Sequence, residues 1–331
     1  MKRWWAIALM LLLVGCAMLR GREHSTPAPI APPTAQVAVA PNPSPQLAPP
    51  QNPPQVDQQR LTAHLQALTG ERYTEQDRDR VRNYLIQTLK TAGWRVTTQS
   101  FPTGTNVIAR QPQKSTTTGT ILVVAHYDTV EGSPGADDNA TGLVAALEVA
   151  RLLKNHPSPY GLAIVLFDQE EQGLVGSLAF TANPANITNV LGVINLEMLG
   201  YTCNIPGCQK YPAGLPIQPP SDRGDFLGIV GDQEHAHLLQ AFQLAHDTSL
   251  PPIITVPIPF KGVLTPDVLR SDHAPFWARN IGAVMISDTA NFRNPHYHRP
   301  SDTLDTVDFT FLTRATQLVV NATVVLLDQM N

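Results

Sequence analysis

The feature that most constrains the fold is an alternation of short apolar runs with longer segments of helical periodicity, which begins near Asp57. Three runs are almost wholly apolar, six or seven residues long and rich in β-branched residues, as in strands that are buried on both faces. These runs are TILVVA at 120–125, LAIVLF at 162–167 and VLGVINL at 190–196. Helical patterns follow the first two, at 141–153 and through 177–181. The alternation predicts an α/β fold in which a mixed, mostly parallel central sheet is covered by helices on both faces.

Weaker patterns complete the prediction. Residues 58–69 and 75–92 have the amphipathic period of helices, and a last helix is predicted at 309–328. Two further strands are predicted at 226–230 and 283–286. Because open α/β sheets bind ligands beyond the carboxyl ends of their strands, the residues that follow the apolar runs are the first candidates for a functional site.

The first 16 residues have the composition of an export signal. Lys2 and Arg3 precede an apolar run over 4–14, which is too short to span a membrane and ends in Leu-Val-Gly-Cys. This tetrapeptide resembles the bacterial lipobox and predicts lipidation of Cys16; the alternative is an ordinary signal peptide cleaved nearby. We therefore expect an exported protein, either a membrane-anchored lipoprotein facing the periplasm or the cell exterior, or a secreted soluble protein.

A proline-rich stretch follows the export signal. Residues 25–56 are nearly uncharged and rich in Pro, Ala, Gln and Asn, so they cannot bury apolar surface. We predict a disordered, semi-rigid tether over 17–56 and a single folded domain over 57–331. The net charge of −4 provides no basic surface for nucleic acid, and that class of partner is excluded.

His126 and Asp128 directly follow the first apolar run. At the end of an extended strand, residues i and i+2 point to the same side, so the two side chains share one side. A histidine that binds a metal usually donates its second N–H to a carboxylate, and Asp128 is placed to accept it.

Four further polar motifs lie at or near strand ends. One is a glycine-bounded loop with Asp137 and Asp138, whose carboxylates could instead cap the helix that follows. The others are the pair Glu170 and Glu171, then Glu197, and late in the chain His296 and His298. Each motif alone is more often structural than catalytic, but together they supply histidines and carboxylates suited to a two-metal hydrolytic site.

From about residue 100 to its end, the chain resembles metallopeptidase family twenty-eight, the dizinc aminopeptidases related to glutaminyl cyclases and glutamate carboxypeptidases. The resemblance is carried by His126-Tyr127-Asp128, the loop Gly-Ala-Asp-Asp-Asn-Ala-Thr-Gly, the Glu-Glu pair, Glu197 and the late His-Arg-Pro-Ser-Asp-Thr stretch, in the family's order and spacing. It implies a zinc-aminopeptidase-like three-layer sandwich and makes residues 57–331 a single zinc peptidase domain.

The resemblance also implies residue roles. Glu170 is the general base, and Asp128 supports the ligand His126. Asp138, rather than Asp137, bridges two zinc ions, and His298 is chosen over His296. The implied metal ligands are His126, Asp138, Glu171, Glu197 and His298. The family commonly has aspartate where this chain has Glu197, so the way in which Glu197 reaches the metal is open.

The implied reaction is hydrolysis of the N-terminal peptide bond of peptides or proteins. Two zinc ions would share a water molecule and lower its pKa towards neutrality. Glu170 would accept a proton from this water as the resulting hydroxide attacks the peptide carbonyl. Zinc suits a mixed set of histidines and carboxylates, although other divalent ions could replace it.

Two other segments are candidates for the substrate site. Asp272 and His273 lie in a stretch that resembles a pocket-lining segment of the family, or in a helix N-terminus capped by Ser271.

Cys203 and Cys208 are so close in an exported chain that they predict a disulfide. This disulfide would stiffen the loop 201–220, and that loop and the segment 251–265 are expected to shape specificity.

Three alternative activities remain open from the sequence. A glutaminyl cyclase on the same scaffold would enclose an N-terminal glutamine and would not need a second metal. A carboxypeptidase would need a cation for the free carboxylate, for which the candidates are Arg270, Arg279, Arg293 and Arg299. A non-catalytic binding protein on this fold would lack some of the ligands, whereas here each expected position holds a residue that can bind metal. The sequence does not indicate an oligomeric state.

Overall fold

The computed structural model describes residues 48–112, 118–218 and 220–329. The predicted export signal, Cys16 and most of the predicted tether lie outside these ranges. The last tether residues lie within them, and Pro54 and Val56 form hydrogen bonds of 3.0 and 2.9 Å with the side chain of Gln317. The end of the tether is therefore attached to the folded domain.

Eight strands form one mixed sheet in the order β1-β2-β4-β3-β5-β8-β6-β7. The strands are β1 Arg95–Phe101, β2 Gly104–Arg110, β3 Thr120–His126, β4 Gly161–Phe167, β5 Val190–Glu197, β6 Leu227–Asp232, β7 Ile253–Ile258 and β8 Ala283–Ser287. The four central strands β4, β3, β5 and β8 are parallel to one another. Strands β2 and β6 join this centre in antiparallel orientation, and β1 and β7 form the edges.

Eight α-helices lie among the described residues. They are α1 Gln58–Leu68, α2 Glu75–Thr91, α3 Gly142–Leu153, α4 Val175–Ala182, α5 Pro184–Ile187, α6 Ala236–Ala245, α7 Ala274–Trp277 and α8 Phe309–Gln329. Helices α1, α2, α3, α6 and α8 contribute to the core on one face of the sheet, and α4 and α7 to the core on the other. The predicted fold, a mixed sheet between two helical layers, is confirmed.

Strand β3 shows why the central runs are continuously apolar. Ile121 and Val123 belong to the core on one face of the sheet, whereas Leu122 and Val124 belong to the core on the other. Successive side chains of a strand point to opposite faces, so a strand covered on both sides must be apolar at every position.

Helix α8 is the one helix in the described part of the chain that is long and apolar enough to cross a membrane. However, 78% of its most apolar window is buried inside the protein. It packs mainly against α6 and α3. Its apolar composition is therefore accounted for by the core of the domain.

Candidate metal centre

Three of the predicted metal ligands come from the carboxyl ends of neighbouring parallel strands. His126 is the last residue of β3, Glu197 is the last residue of β5, and Glu171 follows the end of β4 by four residues. Because β4, β3 and β5 are adjacent and parallel, their carboxyl ends meet at one edge of the sheet. This topology brings together residues that are far apart in sequence.

The other two ligands come from connecting segments. Asp138 lies in an irregular helical turn, Ala136–Thr141, between β3 and α3, and His298 lies in the loop between β8 and α8. The carboxylate of Asp302 fixes the first segment: its two oxygens accept hydrogen bonds from the backbone N–H groups of Asp137 (2.9 Å) and Asp138 (3.0 Å). The loop of His298 therefore also positions Asp138.

The carboxylate of Asp138 lies between the two histidines. Its Oδ1 is 3.4 Å from Nε2 of His126, and its Oδ2 is 3.2 Å from Nε2 of His298. On the first side, Glu197 Oε1 is also 3.4 Å from His126 Nε2. On the second, Glu171 Oε2 is 3.0 Å from His298 Nε2. The site thus consists of two groups of candidate ligands that share one carboxylate.

Asp128 lies behind this arrangement. Its Oδ1 accepts a 3.0 Å hydrogen bond from the backbone N–H of Glu170, and its Oδ2 accepts a 3.2 Å bond from that of Glu171. The same Oδ1 is 3.4 Å from Nδ1 of His126, which leaves Nε2 facing the other ligands. One buried carboxylate therefore holds the backbone of the Glu-Glu pair and also faces Nδ1 of His126.

The charges of the site perturb the pKa values of its members. Burial and the nearby carboxylate of Asp138 raise the pKa of Glu171 to about 7. Burial and neighbouring carboxylates also raise the pKa of Glu170 well above its ordinary value. Although burial disfavours the charged form of His298, hydrogen bonds to Asp138 and Glu171 raise its pKa to about 9. The cluster concentrates negative charge in a buried place and favours cations.

Divalent metal ions fit this cluster. Within each of the two groups, a histidine nitrogen and carboxylate oxygens from two residues lie within 4.8 Å of one another. Oε1 of Glu171 is buried and has no hydrogen-bond partner among the described residues, and a bound cation would satisfy it. Imidazole nitrogens with carboxylate oxygens are a donor set that zinc accepts.

Arg72 is a structural member of the site that the sequence analysis did not identify. It is fully buried, and its guanidinium donates to the carbonyl oxygens of Tyr127, Pro134 and Gly135, each at 2.9 Å, and to that of Asp138 at 3.3 Å. It therefore ties the segment after β3 to the turn that carries Asp138. No local pattern in the sequence marks Arg72, because all of these partners lie at least 55 residues away.

A cavity opens onto the carboxylates of Glu170, Glu171, Glu197 and Asp138. Most of its wall is apolar. The apolar lining residues include Leu215, Ile217, Phe226, Val230, Ile254, Val256, Val268 and Met285. The cavity therefore joins a cluster of ionisable groups to a hydrophobic pocket, an arrangement typical of a binding site for a small organic ligand.

The structure does not place Asp272 and His273 in this cavity. Both are fully buried, and neither is among the lining residues. His273 donates through Nε2 to the carbonyl oxygen of Val268 at 2.7 Å and packs edge-on against Trp277. Ser271 does line the cavity, and its hydroxyl donates to Oε2 of Glu197.

The two predicted specificity segments both border the cavity. A disulfide joins Cys203 and Cys208 at one end of the loop 201–220. Tyr211, Pro212, Leu215 and Ile217 of this loop line the cavity. From the segment 251–265, Ile254 and Val256 of β7 line it.

Comparisons with known proteins show which family and which relatives the chain resembles. The sequence profile of Peptidase family M28 matches residues 106–323, about two thirds of the chain. The chain is 32% identical over 253 residues to the uncharacterized protein YfbL of Escherichia coli, covering 70% of this chain and 75% of that one. It is 30% identical over 235 residues to the probable lipoprotein aminopeptidase LpqL of Mycobacterium tuberculosis, covering 65% of this chain but only 44% of LpqL. This chain thus spans less than half the length of LpqL.

Solved structures share the fold. The LapA aminopeptidase of Legionella pneumophila matches with a TM-score of 0.67 at 18% identity, covering 83% of this chain and 73% of LapA. The glutaminyl cyclase of Bacteroides thetaiotaomicron matches with a TM-score of 0.56 at 19% identity, covering 82% of this chain and 98% of that one. At these identities the likeness shows the fold alone, and both activities are found on it.

Proposed function

The chain belongs to peptidase family M28, and we propose that it is an exported aminopeptidase that binds two zinc ions and hydrolyses the first peptide bond of peptides. The family predicted from the sequence is confirmed, and with it the class of enzyme, a metallo-aminopeptidase. The residue roles, the number of zinc ions and the export that follow are our proposals.

The observation that carries the proposal is the position of Asp138 between two ligand groups. His126 and Glu197 lie on one side of its carboxylate, and His298 and Glu171 on the other. A carboxylate that faces two histidines in this way supports a pair of neighbouring cations that share it.

The first zinc would be held by His126, Glu197 and Asp138, and the second by His298, Glu171 and Asp138. When bound, the two ions would lower the pKa of a water molecule and polarise the carbonyl of the peptide bond. The acidic members of both groups, Asp138, Glu171 and Glu197, line the cavity, so a substrate has access to the site.

Glu170 is the proposed proton carrier. Glu170 is 8% exposed and lines the cavity, and its backbone N–H donates a hydrogen bond to the carboxylate of Asp128. Its carboxylate accepts a proton from the attacking water as the new C–O bond forms. It then donates this proton to the amine nitrogen as the C–N bond breaks. Burial raises the pKa of Glu170, which favours the protonated form that the second step requires.

The cavity supports a preference for an apolar first residue. Phe226, Val230 and Met285 lie on its wall together with the strand β7 residues Ile254 and Val256. Burying a leucine-sized side chain against such a wall contributes about 2 kcal/mol. We therefore propose peptides with an apolar N-terminal residue as substrates.

Blocking the substrate's N-terminus tests the aminopeptidase. We expect Leu-Gly-Gly to release leucine, and N-acetyl-Leu-Gly-Gly to be cleaved at least about 100-fold more slowly, because acetylation removes the positive charge that the carboxylates attract. Amino-acid release is measured by mass spectrometry. Equal cleavage of the two peptides, or release from the C-terminal end, would contradict the proposal and indicate a carboxypeptidase. Ring closure of Gln-Leu-Gly without hydrolysis would indicate a cyclase.

Export is proposed on two grounds. Cys16 ends an apolar run typical of a lipoprotein signal, and the relative LpqL is described as a probable lipoprotein aminopeptidase. We expect cells that express the full chain to incorporate radiolabelled palmitate into it, and the Cys16→Ser variant to incorporate none. Equal labelling of the two proteins would exclude Cys16 as the anchor.

A further inference from the structure

Two cationic side chains line the same cavity as the proposed metal ligands. Arg270 and Lys210 are both exposed and both on its wall. Neither forms an ion pair with another described residue, in contrast to Arg78, Arg82 and Lys261. Two unneutralised positive charges therefore border a site whose centre is strongly acidic.

The guanidinium of Arg270 is held by neutral partners. It donates to Oδ1 of Asn291 and to the hydroxyl oxygen of Tyr297, both at 3.1 Å, and its carbon lies 5.9 Å from the centre of the Tyr297 ring. These contacts orient the group without removing its charge. A guanidinium carries five N–H donors, so donors remain for a ligand.

The backbone of Lys210 lies beside the same part of the rim. Its backbone N–H donates to the carbonyl oxygen of Phe292 at 2.7 Å, and Phe292 follows the Asn291 that holds Arg270. Arg270 and Lys210 thus both contact one short turn, Ala290–Phe292, all of whose residues line the cavity.

The rim lies close to the proposed metal ligands. The Tyr297 ring, which contacts Arg270 through its hydroxyl, stacks on the ring of His298 with 3.7 Å between centres. One residue of extended backbone adds about 3.5 Å. A carboxylate that lies one or two residues beyond the bond being cleaved can therefore reach the guanidinium.

We propose that Arg270 and Lys210 form a carboxylate-binding subsite, which makes the enzyme selective for di- and tripeptides with a free C-terminus. The inference rests on the proposed aminopeptidase function and names its substrate class. An arginine fork matches the two oxygens of a carboxylate, and the lysine adds a second positive charge. The same chemistry would also recognise an aspartate or glutamate side chain beyond the cleaved bond, and the experiment separates the two sources.

The test compares free acids with amides. We expect kcat/KM for Leu-Gly and Leu-Gly-Gly to exceed that for their C-terminal amides by about tenfold, because a bidentate arginine and a second positive charge together contribute more than one exposed ion pair. In Arg270→Gln the ratio should fall to within about twofold of unity, and Lys210→Gln should lower it partially. Added salt should lower the wild-type ratio, because exposed charges are screened.

Matched variants keep the comparison specific. Arg279→Gln removes an exposed arginine that does not line the cavity and should retain the wild-type ratio. A general disturbance of Tyr297 or His298 by Arg270→Gln would slow acids and amides alike, and would leave the ratio unchanged. An unchanged ratio in Arg270→Gln would therefore overturn the proposal, whatever the absolute rates.

A second pair of substrates identifies the source of the carboxylate. One alternative result is that the wild type prefers Leu-Asp-NH2 over Leu-Asn-NH2, loses this preference in Arg270→Gln, and shows no preference for free acids over amides. This result would assign the subsite to acidic side chains and overturn its role at the C-terminus. Equal rates for acids and amides in the wild type would overturn the subsite while leaving the aminopeptidase intact. Absence of hydrolysis of every peptide would instead contradict the proposed function itself.

Discussion

Glu170→Gln should lower kcat on Leu-Gly-Gly by about 10³-fold while the zinc content of the chain stays the same. General acid–base catalysis typically contributes 10²- to 10⁴-fold, and the glutamine amide has the shape of the carboxylate but cannot carry the proton. Glu170 lines the cavity but belongs to neither of the two ligand groups that share Asp138. Steady-state kinetics and elemental analysis of the same preparation measure both quantities.

Glu131→Gln is the matched control. Glu131 is exposed and follows the end of β3 by five residues, so its replacement tests the loss of a negative charge near the same edge of the sheet. It should retain activity within about twofold. Activity of Glu170→Gln within about tenfold of the wild type would require another base, and loss of zinc from this variant would make Glu170 a ligand.

Asp138→Ala should abolish measurable peptidase activity and release zinc from the chain. Its two carboxylate oxygens face His126 on one side and His298 on the other, so one substitution removes a ligand from both ions. Without this shared carboxylate, each ion would keep only two protein ligands of the assigned set, fewer than zinc sites usually have. Metal content and kcat/KM, measured at limiting zinc, give the result.

The matched control removes another carboxylate from the same cavity. Asp267 is exposed and lines the wall without an ion pair to a described residue. Asp267→Ala should keep its zinc and most of its activity. If Asp138→Ala kept both zinc ions, the bridging role of this residue would be wrong. Circular dichroism would show whether the variant remains folded.

The central part of the fold was predictable because its signals are local. A strand covered on both faces is apolar at nearly every position, so the runs of β3 and β4 are continuous and that of β5 is interrupted only by Asn195. Since parallel strands end at one edge, the polar residues that follow these runs could be placed in one site before the structure was known.

The edges of the sheet were missed because their signals are weak. Strand β1 is RVTTQSF, in which no residue is buried, and it reads as an irregular polar segment. In β7 only Val256 and Ile258 are buried, and Pro257 interrupts the run. Edge strands have one neighbour and less cover, so their sequences lack the pattern that identifies the centre.

Contacts across the chain could not be predicted either. Asp302 holds the backbone of Asp138 from 164 residues away, and nothing in the sequence around either residue indicates the pair. The orientation of the substrate segment could not be predicted for the same reason. Resemblance pointed to Asp272 and His273, but the adjacent Arg270 and Ser271 are the residues that line the cavity. Which neighbour in a turn faces a cavity depends on the packing around it.

Zinc content per chain is the measurement that tests the account most directly. The full chain is purified, loaded with zinc, freed of loosely bound metal by gel filtration, and analysed by inductively coupled plasma mass spectrometry together with its hydrolysis of Leu-Gly-Gly. The account predicts two zinc ions per chain and loss of activity when they are removed, with recovery when zinc is returned. Full activity with one zinc per chain, or with none, would contradict the two-metal site that Asp138 is proposed to bridge.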